Sequence, residues 1–338
     1  MHKGLKSGCC LTTGAAVLLA ACVCCRANHE KAVGLKVNKD TVLFYRGAEP
    51  VAGYRYYDVP FKPYVKELCT PAGFNVLLDS PADHVHHHGL MFAVSVNGTD
   101  FWEEQIAPGR QRHIEINSVK VESHKELQMA SFGQQLEWVN PPDGRLLLRE
   151  QRVLELAEIK EQKVTLLTWR SEFVVPQGEE KVTFSGNHYF GLGMRFVRSM
   201  DSKGSFFNAD MKEGKIYRGD ERLVRSRWCA HTVEVEGKDI TVAMFDYPEN
   251  IRYPATWFTM ARPFAYMSAT MALHENPLVI KADKPLSVCY GIALWDGAAE
   301  PAQVDKMYHR WLKIVERFRM RGLGIKKESN NDTNKFKR

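Results

Sequence analysis

Val164-Thr165-Leu166-Leu167-Thr168-Trp169-Arg170-Ser171-Glu172-Phe173 is rich in β-branched, aromatic and large apolar residues, and its apolar–polar alternation is imperfect. A strand with one wet face alternates cleanly, so this one is read as covered on both faces. Outward from it the same kind of segment recurs. Runs at 146–156, 240–245 and 286–294 are strand-like, separated by turn formers such as Pro141-Pro142-Asp143-Gly144 and Pro176-Gln177-Gly178-Glu179. Near the start, Leu35-Lys36-Val37 and Val42-Leu43-Phe44-Tyr45 flank Asn38-Lys39-Asp40, the pattern of a hairpin. Many short strands at this spacing predict an all-β fold, a large sandwich of two sheets. One segment has a helical period instead. From Pro301, a residue suited to a first helical turn, the apolar positions Val304, Met307, Tyr308, Trp311, Leu312 and Val315 recur at three- and four-residue steps. A C-terminal helix with its stripe on the sandwich is expected.

The chain has 338 residues, 44% hydrophobic and 25% charged, enough to bury a large core. Its net charge is +6, but Lys3 and Lys6 at the start and the Lys/Arg-rich stretch after Arg317 carry that excess. The body is near neutral, so no nucleic-acid partner is expected. The first 22 residues combine a basic start, an uncharged stretch from Ser7, and Leu19-Ala20-Ala21-Cys22. That is the organisation of a secretory signal, too short to span a membrane. Its last four residues look like a bacterial lipobox, in which the cysteine becomes the lipidated first residue. The expected organisation is a signal peptide with lipobox over 1–22, a linker over 23–32, a single β-sandwich domain over 33–320, and a disordered basic tail over 321–338. The expected location is the cell envelope, periplasm or outer membrane, with membrane contact only through the lipid anchor. Of eight cysteines, five (Cys9, Cys10, Cys22, Cys24, Cys25) lie in or beside this leader. Cys69, Cys229 and Cys289 remain, read as buried thiols rather than a disulfide framework or a Cys-x-x-Cys metal site.

Candidate chemistry centres on Asp83-His84-Val85-His86-His87-His88-Gly89, which holds four of the twelve histidines. On an extended backbone His84, His86 and His88 would project to one side and His87 to the other. Imidazole titrates near neutrality, so the group can move protons, bind a sugar hydroxyl or ligate a metal. A second constellation is Gly186-Asn187-His188-Tyr189-Phe190-Gly191-Leu192-Gly193-Met194-Arg195. Its glycines permit close backbone approach, while His188 and Arg195 supply a proton-active group and a donor. A third runs from Arg252-Tyr253-Pro254-Ala255-Thr256-Trp257-Phe258 to Leu273-His274-Glu275-Asn276-Pro277. Aromatic faces beside polar groups suit carbohydrate, and Trp102, after Asn97-Gly98-Thr99-Asp100-Phe101, offers another such face.

Asp83-His84-Val85-His86-His87-His88-Gly89-Leu90 followed by Val96-Asn97-Gly98-Thr99-Asp100-Phe101-Trp102 resembles the bacterial PmoA-like family. The likeness continues through Gly191 to Arg195, Arg227-Trp228-Cys229, Asn250 to Pro254 and Trp295-Asp296-Gly297, about residues 35 to 315. Val85 stands where that family usually has Pro, and His88 where it usually has Arg. The multiple membrane spans of a methane oxygenase subunit are missing from this sequence. A more distant resemblance is to galactose mutarotase-like proteins, carried by Asn187-His188-Tyr189-Phe190 and His87-His88-Gly89. It implies a two-sheet β-supersandwich, a sugar site on one concave sheet, and a late catalytic glutamate, whose place Glu275 takes.

The leading expectation is a carbohydrate-active enzyme using acid–base chemistry of the mutarotation, epimerisation or elimination type. His86, His87 and His188 would be acid or binding groups and Glu275 the base. His84, Arg195 and Arg252 would hold the substrate, and Trp102 and Trp257 would stack on it. No cofactor is required. The alternatives are a glycan-binding surface lipoprotein without turnover, and a metal held by His84, His86 and His88, with His113, polarising a sugar carbonyl. The leader is open to direct test: Cys22→Ser should abolish incorporation of labelled palmitate and move the protein from the membrane to the soluble fraction.

Overall fold

The two-faced burial expected of 164–173 has its explanation in what lies on either side. In the computed structural model, which describes residues 32–160 and 162–322, Thr165–Val174 runs between Arg145–Ile159 and Leu286–Asp296 inside an eight-stranded antiparallel sheet. Leu167, Trp169 and Phe173 point into a core shared with a second, ten-stranded sheet. Val164 and Leu166 lie on the opposite side, in a separate core beneath the C-terminal helix. The expected hairpin is the pair Val33–Val37 and Thr41–Arg46, with Val37 opposite Val42.

From one edge to the other, the ten-stranded sheet begins with Val33–Val37, Thr41–Arg46, Glu49–Arg55, Tyr64–Leu68 and Leu90–Ala93. It continues with Gly191–Arg195, Tyr266–Thr270, Thr256–Met260, Arg222–Arg225 and Lys215–Ile216. Among the described residues a small four-stranded sheet accompanies the two large ones, and its strand Thr99–Asp100 leads into the loop carrying Trp102.

The helix is Pro301–Gly322. Val304, Met307, Tyr308, Trp311, Ile314 and Val315 are buried against Trp228, Phe245 and Trp295, close to the stripe read from the sequence. The Trp311 ring settles where Gly291 has no side chain, since a Cβ there would come within 2.7 Å of it, and Trp311 Nε1 donates to Thr168 Oγ1 at 3.0 Å. Asp305 anchors the first turns by accepting from Arg227 at 2.8 Å and Trp228 Nε1 at 3.0 Å.

Between the large sheets sits a charged strut. Arg152, fully buried, donates to both oxygens of Glu150 at 2.7 and 2.8 Å, to the Tyr54 hydroxyl at 3.0 Å, to Pro63 O at 3.1 Å and to Gln111 Oε1 at 3.0 Å. Trp138 Nε1 and Ser171 Oγ complete the shell of Glu150, at 2.8 and 2.6 Å. Every charge in the strut is answered, which is the condition for tolerating it in a core.

Cys229 and Cys289 are buried and Cys69 half-buried, and all three are free thiols. Among the described residues no helix is long and apolar enough to cross a membrane. The leader with Cys22, nearly all of the linker, and the tail after Gly322 lie outside the described residues. Removing one member of the strut leaves the other charge stranded, so Arg152→Leu should lower the unfolding free energy by about 3–5 kcal/mol, read from urea denaturation.

Candidate active site

The histidine segment is not extended. His84 N donates to Pro81 O at 3.0 Å, His87 N to His84 O at 2.9 Å and Ser80 N to His87 O at 2.8 Å, folding 80–88 into consecutive turns. The turn formers Ser80, Pro81 and Asp83 favour this, and Ser80 takes a left-handed φ of 47°. Gly89 closes the turn with φ 43°, and a Cβ there would lie 2.2 Å from Val65 O. His84, His86 and His88 therefore do not form one row. Instead His84 and His87 stack, with centroids 4.7 Å apart and planes 16° apart, and His86 stands edge-on to His87 at 4.6 Å.

His88 turns away and is used up. Its Nδ1 meets Asp79 Oδ1 at 2.9 Å and its Nε2 meets Glu104 Oε1 at 3.1 Å, while the ring stacks on Tyr64 at 4.6 Å. Tyr64 donates to Asp79 Oδ2 at 2.8 Å, and buried Lys62 donates to Glu104 and, at 3.1 Å, to Trp102 O. Burial opposes a charge on His88, but the bonds to Asp79 and Glu104 carry its pKa above the usual imidazole value. With both His88 nitrogens engaged, the His84, His86 and His88 metal set does not assemble. Among the described residues no group of three or more His, Cys, Asp or Glu could hold a metal. His113 is elsewhere, 2.9 Å from Gln134 Nε2 and packed on Tyr56.

The other histidines face a cradle on the side of the ten-stranded sheet turned away from the eight-stranded one. Phe92, paired with Leu192, packs on Trp138 and Phe173, so Leu192 points inward while Gly193, Ser268 and Phe258, in register with each other, point outward. Gly193 has to be glycine: a Cβ would sit 1.9 Å from the Tyr266 hydroxyl and 3.0 Å from Trp102. His87 packs against Tyr266, Phe264 and Trp102 at 5.0, 5.6 and 6.2 Å. Trp102 stacks on Phe190 at 5.0 Å, held by Asp100 Oδ1, which accepts from the backbone N of Trp102 at 2.7 Å and of Glu103 at 3.2 Å. Arg195 lies 3.9 Å over the Phe264 ring and reaches Asp83 at 3.3 Å and Asp201 at 3.5 Å. Around this cradle His86 Nδ1, His87 Nδ1, Trp102 Nε1, Arg195 Nε and Nη1, and the Tyr266 hydroxyl are buried with no hydrogen-bond partner. Their residues are at most 8% exposed.

Electrostatics keep both imidazoles neutral. Burial, reinforced by His86 and His84, pushes His87 down to about 2, and burial, with Lys62 and His84, pushes His86 down to about 4. Glu103 Oε2 lies 3.5 Å from His86 Nδ1, close but not aligned as a hydrogen bond, and burial and Asp100 raise its pKa.

His188 forms a second wing, linked through Tyr189, whose ring is 5.0 Å from His188 and 5.2 Å from Trp102. Its Nε2 is 3.1 Å from Glu221 Oε2, whose other oxygen accepts from Arg218 at 2.6 Å, and its ring stacks on Tyr217 at 3.8 Å. Burial lowers the His188 pKa against the pull of Glu221.

The remaining expected residues divide. His84, His86, His87, Trp102 and Arg195 come together, and His188 joins them through Tyr189. Trp102 is a buried wall, not an open stacking platform. Trp257 points into the inter-sheet core and donates to Ser226 O at 2.6 Å, because neighbouring Phe258 takes the outward position. Arg252 spends its guanidinium on the carbonyls of Met271, Ala272 and Pro277, clamping a loop. Glu275 stands in that loop with its side chain 64% exposed, beyond His274, whose ring is 6.0 Å from His188. Sequence reasoning missed Glu103, Glu221 and Tyr266. Glu103 could have been found as the residue after the quoted Phe101-Trp102; no local pattern marks the others.

The depressed histidines set a pH window. His86 and His87 have folded pKa values of about 4 and about 2, below an unfolded value of about 6.5, so below that pH the unfolded chain takes up protons that the folded chain does not. Their contribution is complete above about pH 6.5 and is lost as the pH falls toward 4. The urea midpoint should drop between pH 7.5 and pH 5, and in the double variant His86→Gln, His87→Gln the drop should be smaller.

Solved structures that overlay this chain include the GH36 α-galactosidase AgaA from Geobacillus stearothermophilus, at 9% identity over 79% of this chain and 41% of that one, with a TM-score of 0.40. An α-galactosidase from Lactobacillus brevis overlays at 7% identity over 79% and 40%, TM-score 0.40. A proposed aldose 1-epimerase from Klebsiella pneumoniae overlays at 11% identity over 81% and 80%, TM-score 0.38. The chain thus spans less than half the length of the two α-galactosidases. No curated protein matches it in sequence. Residues 32–309 match the family of unknown function DUF6807, and the protein belongs to that family.

Proposed function

We propose that the outward face of the ten-stranded sheet binds a carbohydrate and moves protons on it. The observation that carries this is the set of buried, unanswered polar atoms on His86, His87, Trp102, Arg195 and Tyr266. Buried polar groups are almost always paired, and an unpaired one costs about 1–3 kcal/mol. Several around one cradle, among the rings of Phe264, Trp102 and Tyr266, fit a ligand with polar edges and apolar C–H faces. The resemblance to galactose mutarotase-like proteins supports the same reading, since its two motifs contribute His87 on one wing and His188 on the other. The PmoA-like motifs fall on this face as well, at 83–89 and 191–195, and no oxygenase chemistry is proposed for them.

Neutral His86 and His87 offer ring nitrogens to hydrogen-bond the ligand's hydroxyls. Glu103, with its raised pKa, is the nearby carboxyl best suited to donate a proton, and His188, oriented by Glu221, serves the far end of the ligand. Glu103 thereby replaces the solvent-facing Glu275 as the carboxylate partner. With a lipid on Cys22, this site would work in the cell envelope.

The test is an NMR screen of the protein against mono- and disaccharides, reading binding and conversion together. His87→Gln and His188→Gln should each lower turnover about 100-fold. Binding without conversion would make the protein a lectin, and absence of binding by any sugar would remove the proposal.

A further inference from the structure

Resting on the lipid anchor of that reading, we propose that the corner where a hairpin meets the C-terminal helix lies on a bilayer surface rich in anionic phospholipid, turning the cradle away from the membrane. His124 is paired with Leu127, and the two residues between them make the hairpin tip, with Lys125 exposed at a left-handed φ of 50°. Residues 124–127 line one shallow cleft with Arg310, Lys313, Ile314 and Arg317 of the helix. Arg310, Lys313 and Arg317 recur at three- and four-residue steps, so they form one ridge on the side away from the buried stripe. Lys160, whose backbone N donates to Glu126 O at 2.8 Å, is exposed beside the tip.

Charge at this corner is unbalanced. The two segments that form the cleft carry four cations, Lys125, Arg310, Lys313 and Arg317, against the carboxylates of Glu126 and Glu316. None of these cations, nor Lys160, has a carboxylate partner among the described residues. Other surface arginines are matched: Arg46 by Glu158 at 2.6 Å, Arg227 by Asp305 at 2.8 Å, Arg145 by Glu179 at 3.0 Å. In a body near neutrality, an unmatched ridge is a local feature. The Lys/Arg-rich sequence after Arg317 leaves from the same end of the helix and adds to it.

Two features identify the occupant. Val33 N donates to Gln128 Oε1 at 3.1 Å, one residue past Leu127, so the chain enters the folded body beside this corner. Ala32 follows Cys22 by ten residues, which span at most about 35 Å, and a lipid on Cys22 therefore holds the corner within that reach of the bilayer. The surface chemistry agrees. Leu127 and Ile314 are buried in the core beneath the helix, so the cleft offers cations and almost no apolar area. A protein partner needs apolar surface to bury, whereas a plane of lipid phosphates needs only cations. Each Lys or Arg close to an anionic bilayer improves partition about fivefold, a weak pull alone that a tether makes effective by raising local concentration. The helix lies outside the eight-stranded sheet and the cradle outside the ten-stranded one, so contact through the helix side presents the cradle to solvent.

Lysine reactivity tests the contact. The lipidated full chain is reconstituted into phosphatidylcholine vesicles with and without about 30% phosphatidylglycerol and acetylated, each lysine being read by mass spectrometry. With the anionic lipid, Lys125, Lys160 and Lys313 should react several-fold more slowly, and about 0.5 M salt should remove the protection. Lys181 and Lys281, paired on the small sheet, should be unchanged. The Cys22→Ser chain reads the surface without the anchor. At about 20 mM salt it should sediment with the anionic vesicles and not with phosphatidylcholine alone. Lys125→Gln, Arg310→Gln and Lys313→Gln together should lower its partition about 100-fold, and the same loss of charge at Lys181, Lys281 and Lys284 should leave it unchanged. Protection that ignores the anionic lipid, protection at Lys181 and Lys281 instead, or binding indifferent to the corner triple overturns the inference. If Cys22 takes up no palmitate while the Cys22→Ser chain binds as described, the surface stands and only the anchor falls.

Discussion

A guanidinium with no access to water has to be answered from inside the protein, and the way Arg152 is answered sets the relation between the two sheets. It leaves the strand Arg145–Ile159 with Glu150 as its counter-ion and ends on Tyr54 and Pro63 O, which belong to the facing layer. Pro63 lies between the two residues that steady the site. Lys62, before it, holds Trp102 O and Glu104; Tyr64, after it, holds Asp79 and stacks on His88. Three consecutive residues thus connect the interior strut to the histidine turn. Gln111 adds a parallel route, accepting from Arg152 and donating to Phe92 O in the strand that follows the turn. Packing alone specifies such a junction loosely, whereas a satisfied polar network has one geometry.

The second buried chain, Lys62–Glu104–His88–Asp79, alternates in sign and fastens the histidine turn to the loop of Trp102. His88 is the member of the turn that bridges Asp79 and Glu104. An imidazolium between two carboxylates can bridge them as a guanidinium would, but its charge depends on pH as a guanidinium's does not. By consuming His88 for anchoring, the turn frees His84, His86 and His87 from structural duty. The same run of residues thus contains one charged brace, His88, and two neutral rings, His86 and His87, separated by which side of the turn each ring falls on.

That division was not legible in the sequence. Local periodicity revealed what depends on near neighbours: the strand at 164–173 with its two covered faces, the 35–45 hairpin and the stripe of the C-terminal helix all follow from residue spacing. Proximity of the histidine cluster to His188 and Arg195 came from motifs. Orientation was lost where it depends on partners far along the chain. Ser80 and Pro81 bend a segment that composition alone allows to be extended, and that bend moves His87 to the centre and His88 out of it. Trp257 and Phe258 look equally suited to a sugar, yet only register against Ala269 and Ser268 tells which faces outward. Glu221 reaches His188 across 33 residues with no signature of its own.

The two wings of the site also differ in what they spend. His188 has a carboxylate partner and keeps a fixed tautomer and orientation, as a positioned histidine should. His87 and Trp102 keep unpaired nitrogens in a buried setting, a standing cost to folding that a purely structural core would have removed by replacing them with apolar residues of similar size. Glycine at 191 and 193 adds to that cost, since each weakens the strand that carries Arg195. Gly193 leaves the room in which the Tyr266 hydroxyl sits, and Gly191, at φ 147°, follows the turn that brings Phe190 onto Trp102. The sequence accepts a weaker strand and unanswered donors at the same point of the same sheet, and this concentration of unfavourable terms is what the proposed ligand would offset.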